Sequence, residues 1–398
     1  MERKRKISED ASTAEQDLWS HHHAEYRDPH QIVSQWRQAG EVDARLLEYT
    51  IRGDWWDVLA RTELTLLITR EYEHLAIALT VRRSRPHITY LHLPHPNGMC
   101  IDKRNNSLSI ASTRNPNVVF EFAPCTGSIT NEKLPGSLEG VLLPQQAQFF
   151  PGCLYIHDLA RIGDDLYANA VGLNAVVQLP NRGNPKLAWW PRCIDTRTGP
   201  RIEKNYLQLN SIAPGKSLAD SFFSASAAVP GRRRPGHLNF PVDRRGVIFS
   251  GATREVVGVG LTRPHSARLR NGEVWVDNSG YGQVGRIVNR KFEPNFQLSG
   301  WTRGLYFHNN LAFVATSRVL PRYRHYAPGL DPEKCESGVH VLDLSTGRVL
   351  GSLLWPHGNQ IFAIEGLSNR VTTGFPFVHE SKSTIKNRNQ LFSRGLAA

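Results

Sequence analysis

The stretch His265-Ser-Ala-Arg-Leu-Arg-Asn-Gly-Glu-Val-Trp-Val-Asp277 puts one polar residue at the head of a short alternating strand, then an Asn-Gly turn, then a second strand. The frame returns as Asn97-Gly-Met-Cys-Ile-Asp-Lys-Arg-Asn-Asn-Ser-Leu-Ser-Ile-Ala111, as His157-Asp-Leu-Ala-Arg-Ile-Gly-Asp-Asp-Leu-Tyr-Ala-Asn169 and as Arg303-Gly-Leu-Tyr-Phe-His-Asn-Asn-Leu-Ala-Phe-Val-Ala315. Two looser copies start at Asn210 and Gln360, so the six heads are spaced 60, 53, 55, 38 and 57 residues apart. Periods of this length, built from short strands and tight turns, predict an all-β radial fold, a six-bladed β-propeller. Six unrelated hairpins of a β-sandwich are the alternative this pattern leaves open, since the same turns serve both.

In a propeller the first strand of each blade lines the central channel, so one column of the frame points at one axis. Asn97, His157, Asn210, His265, Arg303 and Gln360 are therefore expected to form a polar ring at a channel mouth. A ring without an apolar member is no core layer.

The chain has 398 residues, 40% of them hydrophobic, with 32 Gly and 24 Pro, which suits a turn-rich β protein large enough to fold without staples. Its five cysteines are scattered and contain no Cys-x-x-Cys pair, which argues against a disulfide framework or a structural zinc cluster. The basic N-terminus lacks an apolar leader and no run is long enough to span a bilayer, so a soluble cytoplasmic protein with no membrane contact is expected. The net charge of +12 is dispersed apart from Arg3 to Lys6, Arg232 to Arg234, and Arg322 with Arg324. No nucleic-acid-binding motif accompanies it, so an anionic small molecule or peptide is the expected partner rather than nucleic acid.

Three domains are expected: a helical N-terminal extension over 1–62, a propeller over 63–378 and a tail over 379–398. Glu15 to Trp19, Gln31 to Gln38 and Val42 to Leu59 carry apolar residues at helical spacing. Strands at 64–69, 75–80 and 87–93 precede the first head, while Gln360 to Leu367 supplies an inner strand with little chain after it. Closure of the ring by N- and C-terminal strands in one blade reconciles these ends. Residues 214–243 read as a long loop, and Arg318 to Ser337 as a second irregular stretch.

The phrases Ile156-His-Asp-Leu-Ala, Leu209-Asn-Ser-Ile-Ala, Arg263-Pro-His-Ser-Ala-Arg, Thr302-Arg-Gly-Leu-Tyr-Phe and Gly338-Val-His-Val-Leu-Asp-Leu-Ser-Thr-Gly-Arg-Val are similar to those of a bacterial family of propeller-like domains of unknown function, over roughly residues 50–370. Where that family usually reads His-Leu-Asn-Gly-Leu-Ala, this chain has Gln208-Leu-Asn-Ser-Ile-Ala. More distantly the layout resembles six-bladed lactonase and strictosidine-synthase-like propellers, whose axial Asn and carboxylate residues hold calcium. Asn97 and Asn210 fit that comparison, but the ring has no carboxylate.

His157 and His265 stand two frames apart and are expected to converge on one point. Neutral imidazoles there favour a divalent transition metal (Fe, Cu, Zn or Mn) over calcium, or serve as acid and base; plain architecture is the other reading. Asp158 and Asp277 are the carboxylates expected to orient them. A guanidinium at Arg303 facing an axis needs an anion, from a substrate or from an internal Asp or Glu. With Asn97, Asn210, Gln360 and Asp277 it makes the expected substrate-binding set. The function expected is an enzyme acting on an anionic small molecule or peptide by metal-assisted hydrolysis, elimination, cyclisation or oxidation, as in a biosynthetic tailoring step. The alternative is a non-catalytic propeller scaffold.

Overall fold

The computed structural model describes residues 16–17, 20–21, 42–113, 117–126 and 139–379. Its body is all-β and propeller-like. Four sheets each hold one antiparallel meander of four strands, an eight-stranded sheet holds two more, and Asp195–Thr196 pairs with Gly199–Pro200 in a small separate sheet.

One separate meander runs Pro96–Asp102, Ser107–Ser112, Asn117–Pro124, Leu142–Phe150, and the next Ile156–Ile162, Asp165–Ala170, Ala175–Leu179, Lys186–Trp189. A third runs Trp301–His308, Leu311–Ser317, Gly338–Asp343, Arg348–Leu354. In the eight-stranded sheet, the meanders beginning at Leu209–Ala213 and Pro264–Arg270 join by their outer strands through one parallel pair, Val259 with Lys291.

The remaining sheet joins the chain's ends. Ala363–Ser368 lies antiparallel to Leu64–Arg70, with Leu64 opposite Ser368, and Leu75–Arg82 and Arg85–His92 complete the meander. This is the closure expected from the sequence. Leu64–Arg70 is buried at every position, as a strand covered on both faces must be.

The innermost strands touch in cyclic order: Pro96–Asp102, Ile156–Ile162, Leu209–Ala213, Pro264–Arg270, Trp301–His308, Ala363–Ser368, and back to the first. Their approach is tight enough to dictate residue size. A Cβ on Gly98 would lie 2.6 Å from the Asp158 Cα, and Gly304 adopts φ +101°, where side chains are strained.

Two expectations change. Val42 to Leu59 is not one helical segment: a 3-10 turn at Ala44–Leu47 and the helix Trp55–Thr62 flank the strand Thr50–Gly53, which pairs with Arg348–Leu354. Trp55 is fully buried and meets Phe313 edge-on at 6.1 Å, so this part of the extension packs into the body. Helical period misled because Trp55, Val58 and Leu59 do lie on one helix face, and the strand before them is exposed and polar enough to hide. Most of Glu15 to Trp19, all of Gln31 to Gln38 and the tail from 380 lie outside the described residues. The 214–243 segment is not all loop, for it contains the strand Phe222–Ala225. Among the described residues no helix is long and apolar enough to cross a membrane.

Candidate functional site

Every ring residue lies in an innermost strand except Gln360, which precedes one, but the six do not share one role. His157, His265, Arg303 and Gln360 line a cavity of about 780 Å³ at one end of the channel. Asn97 and Asn210 are turned to the neighbouring strand instead. Asn97 Nδ2 donates to the carbonyl of Ile156, and Asn210 Nδ2 donates to that of Pro264 at 2.9 Å. Each amide thus holds the peptide immediately before one of the two histidines, and neither lines this cavity.

The next column, one residue along, belongs to the joints between strands. Asp158 Oδ2 accepts from the Ile212 N–H at 3.0 Å, Ser211 Oγ from Ala267 at 2.8 Å and Ser266 Oγ from Gly304 at 2.7 Å. Adjacent residues of a strand point to opposite faces, so a carboxylate beside a histidine in sequence cannot orient its ring. Asp158 accordingly meets Arg268, 3.4 Å away, and not His157.

Asp277 sits opposite His265 in the ladder, yet the imidazole is held elsewhere. His265 Nδ1 lies 2.9 Å from the Arg263 carbonyl oxygen and 2.9 Å from Ser279 Oγ. A carbonyl only accepts, so Nδ1 carries the proton and Nε2 is left as the basic nitrogen. Burial first, then the charge of Arg303, pushes the imidazole pKa well below the ordinary histidine value, which keeps the ring neutral.

Arg303 is 5% exposed, and among the described residues it makes neither ion pair nor hydrogen bond; its Nε and Nη2 are buried without partners. Its guanidinium carbon stacks 3.2 Å over the Phe362 ring. Phe362 also meets His157 edge-on at 5.5 Å, so one ring seats two of the cavity's polar groups. Burial lowers the Arg303 pKa to about 10, which still leaves it charged at neutral pH. Of the internal carboxylates the sequence left open as partners, Glu71 acts on Arg303 through its charge, but none lies within ion-pair distance among the described residues.

Seven further cavity residues singled out by the structure carry no signal in the repeated frame. Tyr72 and Glu71 come from the turn between Leu64–Arg70 and Leu75–Arg82, and Tyr323 and Tyr326 from the 3-10 turn Pro321–Tyr326 inside the irregular stretch before Gly338. Tyr72 and Tyr323 share a 3.1 Å hydrogen bond across the cavity wall, and Arg322 donates to the Tyr72 hydroxyl at 2.6 Å. Arg263, 4% exposed, stacks 3.7 Å over Tyr326. Gln208, the position where the similar family usually has His, also lines the cavity.

Below the heads, Arg268 reaches Asp158 at 3.4 Å and Glu365 at 3.7 Å from strands on two other sheets. Burial pushes the Glu365 carboxyl up to about 7 and that of Asp277 to about 8, against the pull of Ser266 and Arg268 on the latter. Among the described residues no three His, Cys, Asp or Glu side chains are grouped to hold a metal ion.

A family model described as Domain of unknown function (DUF4915) matches residues 53–374. No curated protein matches the chain. Among solved structures, a chain of a nidogen/laminin complex aligns at 10% identity over 77% of this chain and 99% of its own, with a TM-score of 0.50, and shares the fold. A streptogramin B lyase aligns at 14% identity over 73% of this chain and 76% of its own (TM-score 0.38). A gluconolactonase from Xanthomonas campestris aligns at 11% over 74% and 86% (TM-score 0.41). At these identities none of the three carries an activity to this chain.

Proposed function

We propose that this chain, which belongs to the DUF4915 family of domains of unknown function, is a six-bladed propeller enzyme that binds an anionic small molecule at the channel mouth and moves a proton on it. The six-blade reading is supported by counting the eight-stranded sheet as two meanders joined by a single pair, and by the six innermost strands that touch in cyclic order.

The observation that carries the reading is Arg303. A buried cation that opens on a cavity, with no ion pair among the described residues and the charges of Glu71 and Asp158 felt only at a distance, is unfavourable unless an anion completes it. Beside it His265 presents a neutral ring whose Nδ1 proton is committed to a backbone carbonyl, which makes Nε2 a ready general base. His157, seated on the same phenyl ring as Arg303, is the second proton-transfer group. Elimination, hydrolysis and cyclisation can each be served by such a pair.

A transition metal, expected from the sequence, does not fit this donor set. The charges of Arg303 and Arg263 both disfavour a further positive charge at His265. The groups that could act are therefore the imidazoles themselves.

The test is turnover of a panel of small carboxylates and phosphate esters followed by NMR, with and without a chelator. Product formation that survives the chelator, is lost in His265→Gln and is weakened in binding by about 1–3 kcal/mol in Arg303→Lys supports the proposal. Activity unchanged in Arg303→Lys and Arg303→Ala overturns it. Binding without turnover would make the propeller a non-catalytic receptor.

A further inference from the structure

Arg263 is the strong charge that the proposed function leaves unused. It lies two residues before His265, is 4% exposed and lines the same cavity as Arg303. Its Nη2 donates to the Pro235 carbonyl and its Nη1 lies 3.4 Å from Ser226 Oγ, both neutral partners, and its Nε has none. No carboxylate is within ion-pair distance of either buried guanidinium among the described residues. Each is stacked on an aromatic face instead, Arg303 on Phe362 and Arg263 on Tyr326, a contact that holds a cation's orientation without cancelling its charge.

Two like charges in one low-dielectric cavity also repel each other. Glu71 is the buried acid of this cavity; it accepts from the Thr113 hydroxyl at 2.7 Å, and its charge favours the Arg303 guanidinium without an ion pair to either arginine. Counted over the whole lining, Lys204, Arg234, Arg263, Arg303, Arg318 and Arg322 stand against Glu71 and Glu203, an excess of four positive charges. A single carboxylate would leave most of this unanswered.

We infer that the ligand carries two separate acid groups, one for Arg303 and one for Arg263, so that His265 faces the atoms between them. The inference rests on the anchor role given to Arg303 above and adds the ligand's second charge. It places the reacting carbon or heteroatom on the bridge between two acid groups, within reach of Nε2.

The experiment is calorimetric titration of the full chain, at constant ionic strength, with malonate, succinate, glutarate and adipate, with acetate and butyrate as single-acid controls and with inorganic phosphate. One bridge length is expected to bind at least tenfold more tightly than the matching monocarboxylate. Arg263→Gln should reduce that dicarboxylate to the level of the control while leaving the control unchanged, and Arg303→Gln should weaken both.

A flat series, absence of binding included, overturns the two-acid ligand, as does phosphate binding as tightly as the best dicarboxylate. Dicarboxylate affinity indifferent to Arg263→Gln but lost in Arg303→Gln overturns this inference alone, whereas indifference to Arg303→Gln removes the anchor beneath it. If Arg263→Gln does not fold, the bridge-length series on the unaltered chain decides by itself.

Discussion

Two arginines on neighbouring inner strands of the ring face opposite situations. Arg268 is clasped between Asp158 and Glu365, while among the described residues Arg303 forms no ion pair and feels Glu71 only at a distance. The first is a paired charge that ties three strands together; the second is a charge without a direct partner. The same divide separates whole columns of the ring. Residues one position past the heads, such as Asp158, Ser211 and Ser266, are consumed in bonds between strands, whereas Arg303 keeps Nε and Nη2 without a partner among the described residues. Polarity at the centre of this fold is thus of two kinds, and hydrogen-bond accounting tells them apart.

The comparison breaks if the two arginines behave alike. Arg268→Met strands two carboxylates and should lower unfolding free energy in urea by about 3–5 kcal/mol at neutral pH, with a smaller loss in acid as those carboxylates take up protons. In the joint column, Ser266→Ala leaves the Gly304 N–H unpaired, and Asn210→Ala frees the Pro264 carbonyl before His265. Each should cost about 1–3 kcal/mol in the same measurement. Arg303→Gln removes an unpaired cation and one stacking contact, so its melting free energy should change by less than about 1 kcal/mol while anion binding is lost.

The remaining effect is a slope. Asp277 holds its proton to about pH 8 when folded, while in the unfolded chain it ionises near 4. Its contribution to stability is complete below pH 4 and is lost as pH rises toward 8. Asp277→Asn should therefore gain on the unaltered chain across that window, by up to about 1.4 kcal/mol per pH unit in paired thermal melts. A difference that does not vary with pH would show that the carboxyl ionises freely in the folded state.

The sequence made the inner hairpins legible because each repeats a physical need: a strand, a turn that tolerates positive φ, a second strand. Asn271 and Asn309 both take that positive φ in their turns. It also placed His157, His265 and Arg303 at one cavity. It did not separate Asn97 and Asn210 from them, because an amide able to bind a ligand is equally able to bind the next strand's carbonyl, and only the packing distance decides. Asp158 and Asp277 were assigned to the histidines by proximity along the chain and along the ladder, where side-chain direction and burial point them to Arg268 and Ser266. Arg263, Tyr72, Tyr323 and Tyr326 were missed because turns and inserts have no period to betray them. The strand Phe222–Ala225 was hidden by the serines and alanines around it, which give small strands no apolar alternation.

Phe362, the ring under Arg303, enters the molecule with the strand that closes it. Leu64–Arg70 is synthesised 304 positions ahead of its partner, counting Leu64 to Ser368, which at ~5–20 residues per second is a wait of roughly 15–60 s. Throughout that interval the first sheet has an unfilled edge and Arg303, once made, has no aromatic seat. An anion that needs both Arg303 and Phe362 then binds finished molecules and ignores unfinished ones. By mass action it favours the closed chain over every open one, so the cell's supply of the ligand would also set how firmly newly made copies stay shut.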